Sequence, residues 1–280
     1  MINGLNLIIQ GDDVQTPDLK QLAKLAGASA IEAITSTAFR LKHATPNSKI
    51  EPYCGQAQLD YAFVPNDLKL ADIRLCVMDM DSTLITIECI DEIADMQGLK
   101  PQVAAITAAA MRGELDYSQS LRQRVALLQG LDASALQRVY DERLRLSPGA
   151  ELMLAGFKLL GIKSLLVSGG FTFFADRLQA RLGLDYTRSN TLDIADGKLT
   201  GKVLGDILDA DGKRAALLET RDKLGLKKEQ IIGLGDGAND LKFMAEAGIS
   251  IAYHAKSIVR AHATYALSYV GLCGVLNLFA

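Results

Sequence analysis

The chain has 280 residues, with 30 basic and 33 acidic side chains and a formal net charge of −3 at pH 7, which excludes a broadly basic nucleic-acid binder. Hydrophobic residues make up 49% and charged residues 22%, the balance of an ordinary globular chain, so extensive disorder and fibrous repeats are excluded too. At roughly 100–200 residues per domain, the length predicts one large domain with a cap or a small companion.

In chain order, the opening MINGLNLIIQGDD places no positive charge ahead of its short apolar run, so no secretory signal is expected. Residues 5–10 read as a strand, 16–26 as a helix, and 38–43 and 59–64 as strand-like runs; Pro65-Asn66-Asp67 marks a boundary. Residues 1–70 are therefore expected to form a small α+β N-terminal domain. It has no convincing second helix and no catalytic constellation, which points to an accessory or regulatory role. Cys54, Cys76, Cys89 and Cys273 lie far apart, without a CxxC pair or a metal-ligand cluster, and read as free thiols in a reducing cytoplasm.

From 71 to 280, β-rich runs at 74–78, 163–168, 230–234, 249–252 and 265–270 alternate with helix-length amphipathic segments. That alternation predicts an α/β domain with a parallel sheet. Two insertions interrupt it. Residues 91–146 read as a helical cap, with Asp116 or Ser118 capping a helix over 119–129. Residues 186–204 read as a β-hairpin flap turning at Asp196-Gly197. The uncharged stretch 263–280 is long enough to span a bilayer, but Thr264, Ser268 and Asn277 interrupt it, Gly271 and Gly274 split it, and no Lys or Arg follows. A buried strand and a docked terminal helix are expected there.

The first three strands end directly in Asp79-Met80-Asp81-Ser82-Thr83, Ser168-Gly169-Gly170 and Gly235-Asp236-Gly237-Ala238-Asn239-Asp240. In open α/β sheets ligands bind just outside such carboxyl ends. Alternation sends Asp79 and Asp81 to one face, and two close carboxylates in a dry site require a proton, a cation or both. Asp236 and Asp240 with Asp79 make an all-oxygen pocket suited to a hard, octahedral cation such as Mg²⁺ rather than Zn²⁺, and Mg²⁺ implies phosphate. Ser168-Gly169-Gly170 opens a helix near Phe171, so free backbone N–H groups and the Ser168 hydroxyl can face an anion. Lys213 would supply a compact positive charge.

Taken singly, these residues have plainer readings: a solvated loop, an N-cap with a surface acid, a strand-to-helix turn, a helix-face lysine. Their joint occurrence decides. His43, His254 and His262 make no ligand spacing, and Asp209-x-Asp211-Gly212 lacks the oxygen ligand and glycine of a calcium loop.

The segments DMDSTLITIECIDEIA (79–94), SLRQRVALLQG (120–130), SGGF (168–171) and GLGDGANDLKFM (233–244) resemble, in order and content, the haloacid dehalogenase (HAD) superfamily of aspartate-nucleophile phosphotransferases. The finer match is to its phosphoserine phosphatase family, over roughly residues 72–275. The resemblance implies a three-layer α/β/α Rossmann-like core with a helical cap and a β-hairpin flap. It implies Mg²⁺-dependent hydrolysis of O-phospho-L-serine to L-serine and phosphate, the last step of serine biosynthesis, in the cytoplasm. Asp79 would be the nucleophile and Asp81 the general acid and base. The Asp79 carboxylate, the Asp81 carbonyl and Asp236 would hold the metal, with Asp240 in its outer shell and Asn239 nearby, binding substrate.

The family's pattern puts Ser168, the Gly169 amide and Lys213 on phosphate oxygens, Glu88 on the substrate ammonium and Arg124 on its carboxylate. Without it, Glu88 and Arg124 read as surface residues. Met111, Tyr117 and Gly169 fall on the serine pocket, Tyr117 where the family often has Phe. Relatives can carry ACT-type domains, which offers an ACT-like reading of 1–70. The expected partner is the small-molecule substrate, with neither nucleic acid nor membrane, for a monomer or homodimer. The alternatives are a related HAD phosphatase or phosphotransferase acting on another small phosphoester and, remotely, a receiver-like phospho-aspartate module. A receiver is expected to place its acidic pair before the phosphoacceptor and to have no large insertion, unlike residues 91–146 here.

Overall fold

The computed structural model describes residues 4–279, folded around two sheets. First come β1 (Leu5–Gln10), α1 (Thr16–Ala26), β2 (Ala30–Ala33), β3 (Ala38–Ala44), α2 (Ile50–Ala57) and β4 (Asp60–Pro65). Their strands make an antiparallel sheet in the order β2-β3-β1-β4, the ferredoxin-like βαββαβ arrangement. The strand period of two buries β1 on both faces. Leu7 and Ile9 pack with Leu19 and Leu22 of α1 and Ile50 and Cys54 of α2, whereas Ile8, Ala62 and Val64 join the core of the larger unit.

The expectation of no second helix in this segment is corrected by α2. Its sequence, IEPYCGQA, carries Pro and Gly within eight residues, and Lys49 provides no side-chain cap, so local propensity is poor. Burial of Ile50 and Cys54 against α1 holds it helical. β2, fully exposed, is likewise an element that the sequence pattern did not disclose; pairing with β3 defines it.

After β5 (Leu75–Met78) come α3 (Cys89–Asp95), α4 (Lys100–Met111), α5 (Tyr117–Ala126) and α6 (Ser134–Arg138), the helical insertion; α7 (Ala150–Leu159) then leads into β6 (Lys163–Phe171). The chain continues through α8 (Thr172–Leu182), β7 (Tyr186–Ala195), β8 (Lys198–Leu204), α9 (Ala210–Lys223), β9 (Ile231–Gly235), α10 (Leu241–Met244), β10 (Ile249–Tyr253), α11 (Ser257–His262), β11 (Tyr265–Leu267) and α12 (Gly274–Asn277). The seven strands order as β11-β10-β9-β5-β6-β7-β8, parallel throughout except for β8. Both faces are covered: Leu75 and Val77 of β5 enter one apolar cluster, Cys76 and Met78 the other. β5 is flanked by β9 and β6, so the strand order reverses beside it and a crevice opens at its carboxyl end.

Several local details sharpen the sequence reading. Asp116, rather than Ser118, caps α5 in a reciprocal capping box with Gln119, so the helix starts at Tyr117. The cap joins the core where Ile85 bridges Leu146. Asp196 and Gly197 both take positive φ (50° and 74°), as a hairpin turn of the primed type requires. The last strand ends at Leu267 instead of reaching 270. The amides of Ser268, Tyr269 and Val270 donate to the Asp60 carboxylate on β4, at 2.7, 2.9 and 3.1 Å, and are no longer free for a ladder. α12 is anchored through Gly274 and Asn277 to Gln10 of β1. Among the described residues no helix is long and apolar enough to cross a membrane. The four cysteines are unpaired.

Candidate active site

At the end of β5 the Asp79 amide continues the ladder to Leu234 of β9, while Asp79 Oδ1 accepts from the Met80 amide at 2.7 Å. The chain then turns sharply, with Ser82 at φ 56°, a conformation that a non-glycine residue holds only when its surroundings impose it. Those surroundings are tight. The Ser82 amide donates to Ile87, the Thr83 hydroxyl to Asp236 Oδ1 at 3.0 Å, and the Ser147 hydroxyl to the Thr83 carbonyl at 2.6 Å. Asp79 and Asp81 consequently both line one cavity, although Asp81 lies beyond the strand.

Lys213 sits in the first turn of α9, which Asp209 caps through the Gly212 amide. Its side chain is 1% exposed, and the ammonium donates to Asp79 Oδ1 and to Asp240 Oδ1, each at 2.8 Å. The other Asp240 oxygen accepts from the amides of Asp236 and Gly237, at 3.2 and 3.0 Å. Asp240 is thus wholly engaged in holding Lys213 and the 236–240 turn. Carboxylate oxygens of Asp79, Asp236 and Asp240 lie within 4.8 Å of one another.

Burial, reinforced by Asp240, raises the Asp79 carboxyl well above its ordinary range. Burial and Asp240 push Asp236 up to about 6, and burial and Glu88 push Asp81 up to about 7. At Lys213 burial opposes the charge, but Asp240 and Asp79 outweigh it and raise the ammonium further. Asp81 Oδ1 is buried without a hydrogen-bond partner. Three clustered carboxylates against one buried lysine, and beside them a fourth carboxylate with one oxygen unpaired, make an all-oxygen, electron-rich site. It fits a hard divalent cation bound through Asp79, Asp236 and backbone oxygen.

β6 runs past Ser168, but its register with β7 breaks there: Ser168 opposes Ser189 and Phe171 opposes Asn190, so Gly169 and Gly170 loop out. Side chains have no room at either position. A Cβ on Gly169 would lie 1.9 Å from Tyr117 Oη, and one on Gly170 2.8 Å from Met80 Cε. The expectation that this turn leaves its amides free is corrected for Gly170, whose N–H donates to Ser168 Oγ at 2.9 Å.

The cavity, about 360 Å³, is walled on the core side by Asp79, Asp81, Ser168, Gly169, Asp236 and Asn239 and on the cap side by Glu88, Met111, Tyr117 and Arg124. Lys213 and Asp240 lie behind that wall. Glu88 accepts from the Ser82 hydroxyl at 2.7 Å, and the Tyr117 hydroxyl donates to the Gly169 carbonyl at 3.3 Å. Arg124 is half-buried on α5, with Nε 3.4 Å from the Ser120 carbonyl. Met111, 69% exposed at the end of α4, stands at the rim.

Three residues near the cavity escaped the sequence reading. Lys256 lines it after β10, and its amide donates to the Asp236 carbonyl; the strand-end rule, applied to β10, would have found it. Thr83 reads only as part of the strand-end motif, with no role of its own, and Asn190 carries no signal. The three histidines lie outside the lining, and the Asp209–Asp211 pair serves as helix cap and as a partner for Lys242.

A profile of haloacid dehalogenase-like hydrolases matches residues 73–248, and one of a domain of unknown function matches 7–51. A phosphoserine phosphatase of Polaromonas sp. (strain JS666) is 57% identical over 217 residues, 76% of this chain and 92% of that protein. The crystal structure of a probable phosphoserine phosphatase from Vibrio cholerae, unliganded, superposes with a TM-score of 0.86 at 37% identity, covering 99% of this chain and 86% of that one. The structure of a phospho-aspartyl intermediate analogue of a phosphoserine phosphatase gives 0.70 at 36% identity, over 74% of this chain and 99% of the other. With a family profile spanning most of its length and 57% identity to the Polaromonas protein over three quarters of it, the chain belongs to the haloacid dehalogenase-like hydrolases.

Proposed function

We propose that the protein is a Mg²⁺-dependent phosphoserine phosphatase, hydrolysing O-phospho-L-serine to L-serine and phosphate as the last step of serine biosynthesis. One observation carries this reading: a carboxylate paired with a buried lysine, Asp79–Lys213 at 2.8 Å, faces a cavity whose cap side offers both Glu88 and Arg124. A zwitterionic amino-acid phosphoester needs one group of each sign, and the Arg124 fork suits a carboxylate. The Polaromonas and Vibrio proteins carry the same activity in their names.

In this reading Asp79 attacks phosphorus and the P–O bond to the seryl oxygen breaks, leaving an aspartyl-phosphate. Asp81 gives its proton to the departing alkoxide, then takes one from the water that attacks phosphorus and restores the Asp79 carboxylate. Ser168 and Lys213 stabilise charge on the transferred oxygens. Mg²⁺, held by Asp79, Asp236 and the Asp81 carbonyl, would neutralise charge on nucleophile and phosphoryl group together. Asn239, at the opposite lip, is placed to bind substrate, and Met111 and Tyr117 to bound its side chain. Residues 1–70 are read as an accessory, ACT-like domain on the basis of the βαββαβ order.

A panel of phosphomonoesters with Mg²⁺ and with chelator tests the proposal. Phosphoserine should be preferred and chelator should abolish turnover; equal rates with sugar phosphates, or indifference to metal, would overturn it. Asp79→Asn should remove both turnover and covalent phosphate labelling.

A further inference from the structure

The two glycines looped out of β6 leave a backbone carbonyl without a strand partner. In a regular continuation of β6 the Gly169 carbonyl would face β5, the side to which the Lys163 amide donates at Arg74; the register break between Ser168 and Phe171 takes it out of the ladder and turns it toward Asn190 of β7. A carbonyl turned away from solvent in this part-buried turn requires a replacement donor. Asn190, 2% exposed on β7, provides it: Nδ2 donates to the Gly169 carbonyl at 2.8 Å, while Oδ1 accepts from the Leu208 amide at 2.7 Å. The two neighbours define which end of the amide is which, because only the oxygen can accept from Leu208 and only the nitrogen can donate to Gly169.

The consequence lies across the same peptide. In a trans peptide C=O and N–H point in opposite directions, so anchoring the Gly169 carbonyl aims the Gly170 N–H the other way, onto Ser168 Oγ at 2.9 Å. With one lone pair so occupied, Ser168 keeps its own O–H for an acceptor in the cavity. The Leu208 contact also ties this turn to the segment that begins α9, five residues before Lys213. Tyr117 donates to the same carbonyl from the cap, at a longer 3.3 Å.

We propose that Asn190 is a positioning residue, which sets the orientation of the Ser168 hydroxyl toward a phosphoryl oxygen through the Gly169–Gly170 peptide. The inference rests on the phosphomonoesterase reading of the site. Asn190 touches neither substrate nor reacting atoms; it acts through Ser168.

The experiment compares wild type, Asn190→Ala, Asn190→Asp, Ser168→Ala and the double variant Ser168→Ala/Asn190→Ala. Their kcat and KM for phosphoserine, affinity for inorganic phosphate by calorimetry with Mg²⁺, and thermal midpoints are measured. Asn190→Asp keeps size and the Leu208 contact but replaces the donor by an acceptor. It should lose about 10-fold to 100-fold in kcat/KM, mostly in kcat, and bind phosphate more weakly while remaining folded. In the Ser168→Ala background Asn190→Ala should cost less than about twofold more, since coupled residues are not additive. Wild-type kcat/KM and phosphate affinity in Asn190→Asp, or losses that multiply in the double variant, would overturn the inference. A wild type that binds phosphate but does not turn over phosphoserine would overturn the substrate assignment alone, leaving the phosphate-affinity comparison to judge Asn190.

Discussion

Lys213 Nζ lies 2.8 Å from Asp240 Oδ1, with the lysine side chain 1% exposed and the aspartate side chain fully buried. A buried ion pair of this kind contributes little relative to a well-packed apolar pair, yet breaking it from one side leaves a charge with no solvent and no partner. Lys213→Met takes the only cation buried among the described residues from two carboxylates, Asp79 and Asp240, leaving them backbone amides alone, and should cost about 3–5 kcal/mol in urea unfolding with chelator present. Turnover should disappear as well. A Lys213→Met protein as stable as wild type would mean that the backbone amides of Met80, Asp236 and Gly237 hold the two carboxylates without the lysine.

The contact between Gly169 and Tyr117 makes a second, steric prediction. Gly169→Ala places a methyl 1.9 Å from the tyrosine hydroxyl but 3.0 Å from ring carbon Cζ. The single variant should raise KM for phosphoserine at least about tenfold, because α5 must retreat from the core, carrying Arg124 with it. Removing the hydroxyl relieves the overlap, so Gly169→Ala/Tyr117→Phe should recover much of the loss. Steady-state kinetics of the two singles and the double variant check this; no recovery in the double would show that the methyl disturbs the turn itself.

Asp185, which sits before β7, governs a pH effect far from the cavity. Burial works against its ionisation, but Lys163 and the amide and hydroxyl of Ser164 outweigh burial and hold the carboxyl below its ordinary value of 3.8. A depressed folded pKa means stability that is present above the unfolded pKa and lost as pH falls through the folded one. Lys163 is half exposed, so solvent screens its share of the stability, and the Ser164 amide and hydroxyl add to it. Asp185→Asn should destabilise by about 1–2 kcal/mol at pH 7. Urea unfolding at successive pH values should show the gap to wild type closing below about pH 4.

Asp60 tests how the N-terminal unit is held. Its carboxylate accepts three amides of the 268–270 loop, and the segment after that loop donates from Leu272 to the Pro148 carbonyl beside the cap's return to the core. Asp60→Ala should cost about 1–3 kcal/mol by leaving those amides unpaired, and should speed proteolysis between residues 65 and 70. Deleting residues 1–69 should be worse, because it uncovers the large core where Ile8, Ala62 and Val64 now pack. Limited proteolysis and thermal midpoints report on both.

The amino-acid sequence by itself determined the parallel α/β core, the helical insertion, the hairpin at Asp196-Gly197 and the three strand ends that meet at the cavity. Those are written locally: apolar runs of strand length, amphipathic segments between them, and polar or glycine-rich residues where each strand stops. Tertiary structure decided α2, a helix of poor propensity held by Ile50 and Cys54, and the early end of β11, where Asp60, some 208 residues away in sequence, takes the amides a longer strand would have used. It also decided the double engagement of Asp240, which spacing alone grouped with the metal ligands, and the part of Asn190, an unremarked residue in a hairpin strand. The physical reason is common to these cases. Hydrogen bonds and burial between distant segments depend on which groups the fold leaves without a partner, and that deficit exists only once the strands have paired.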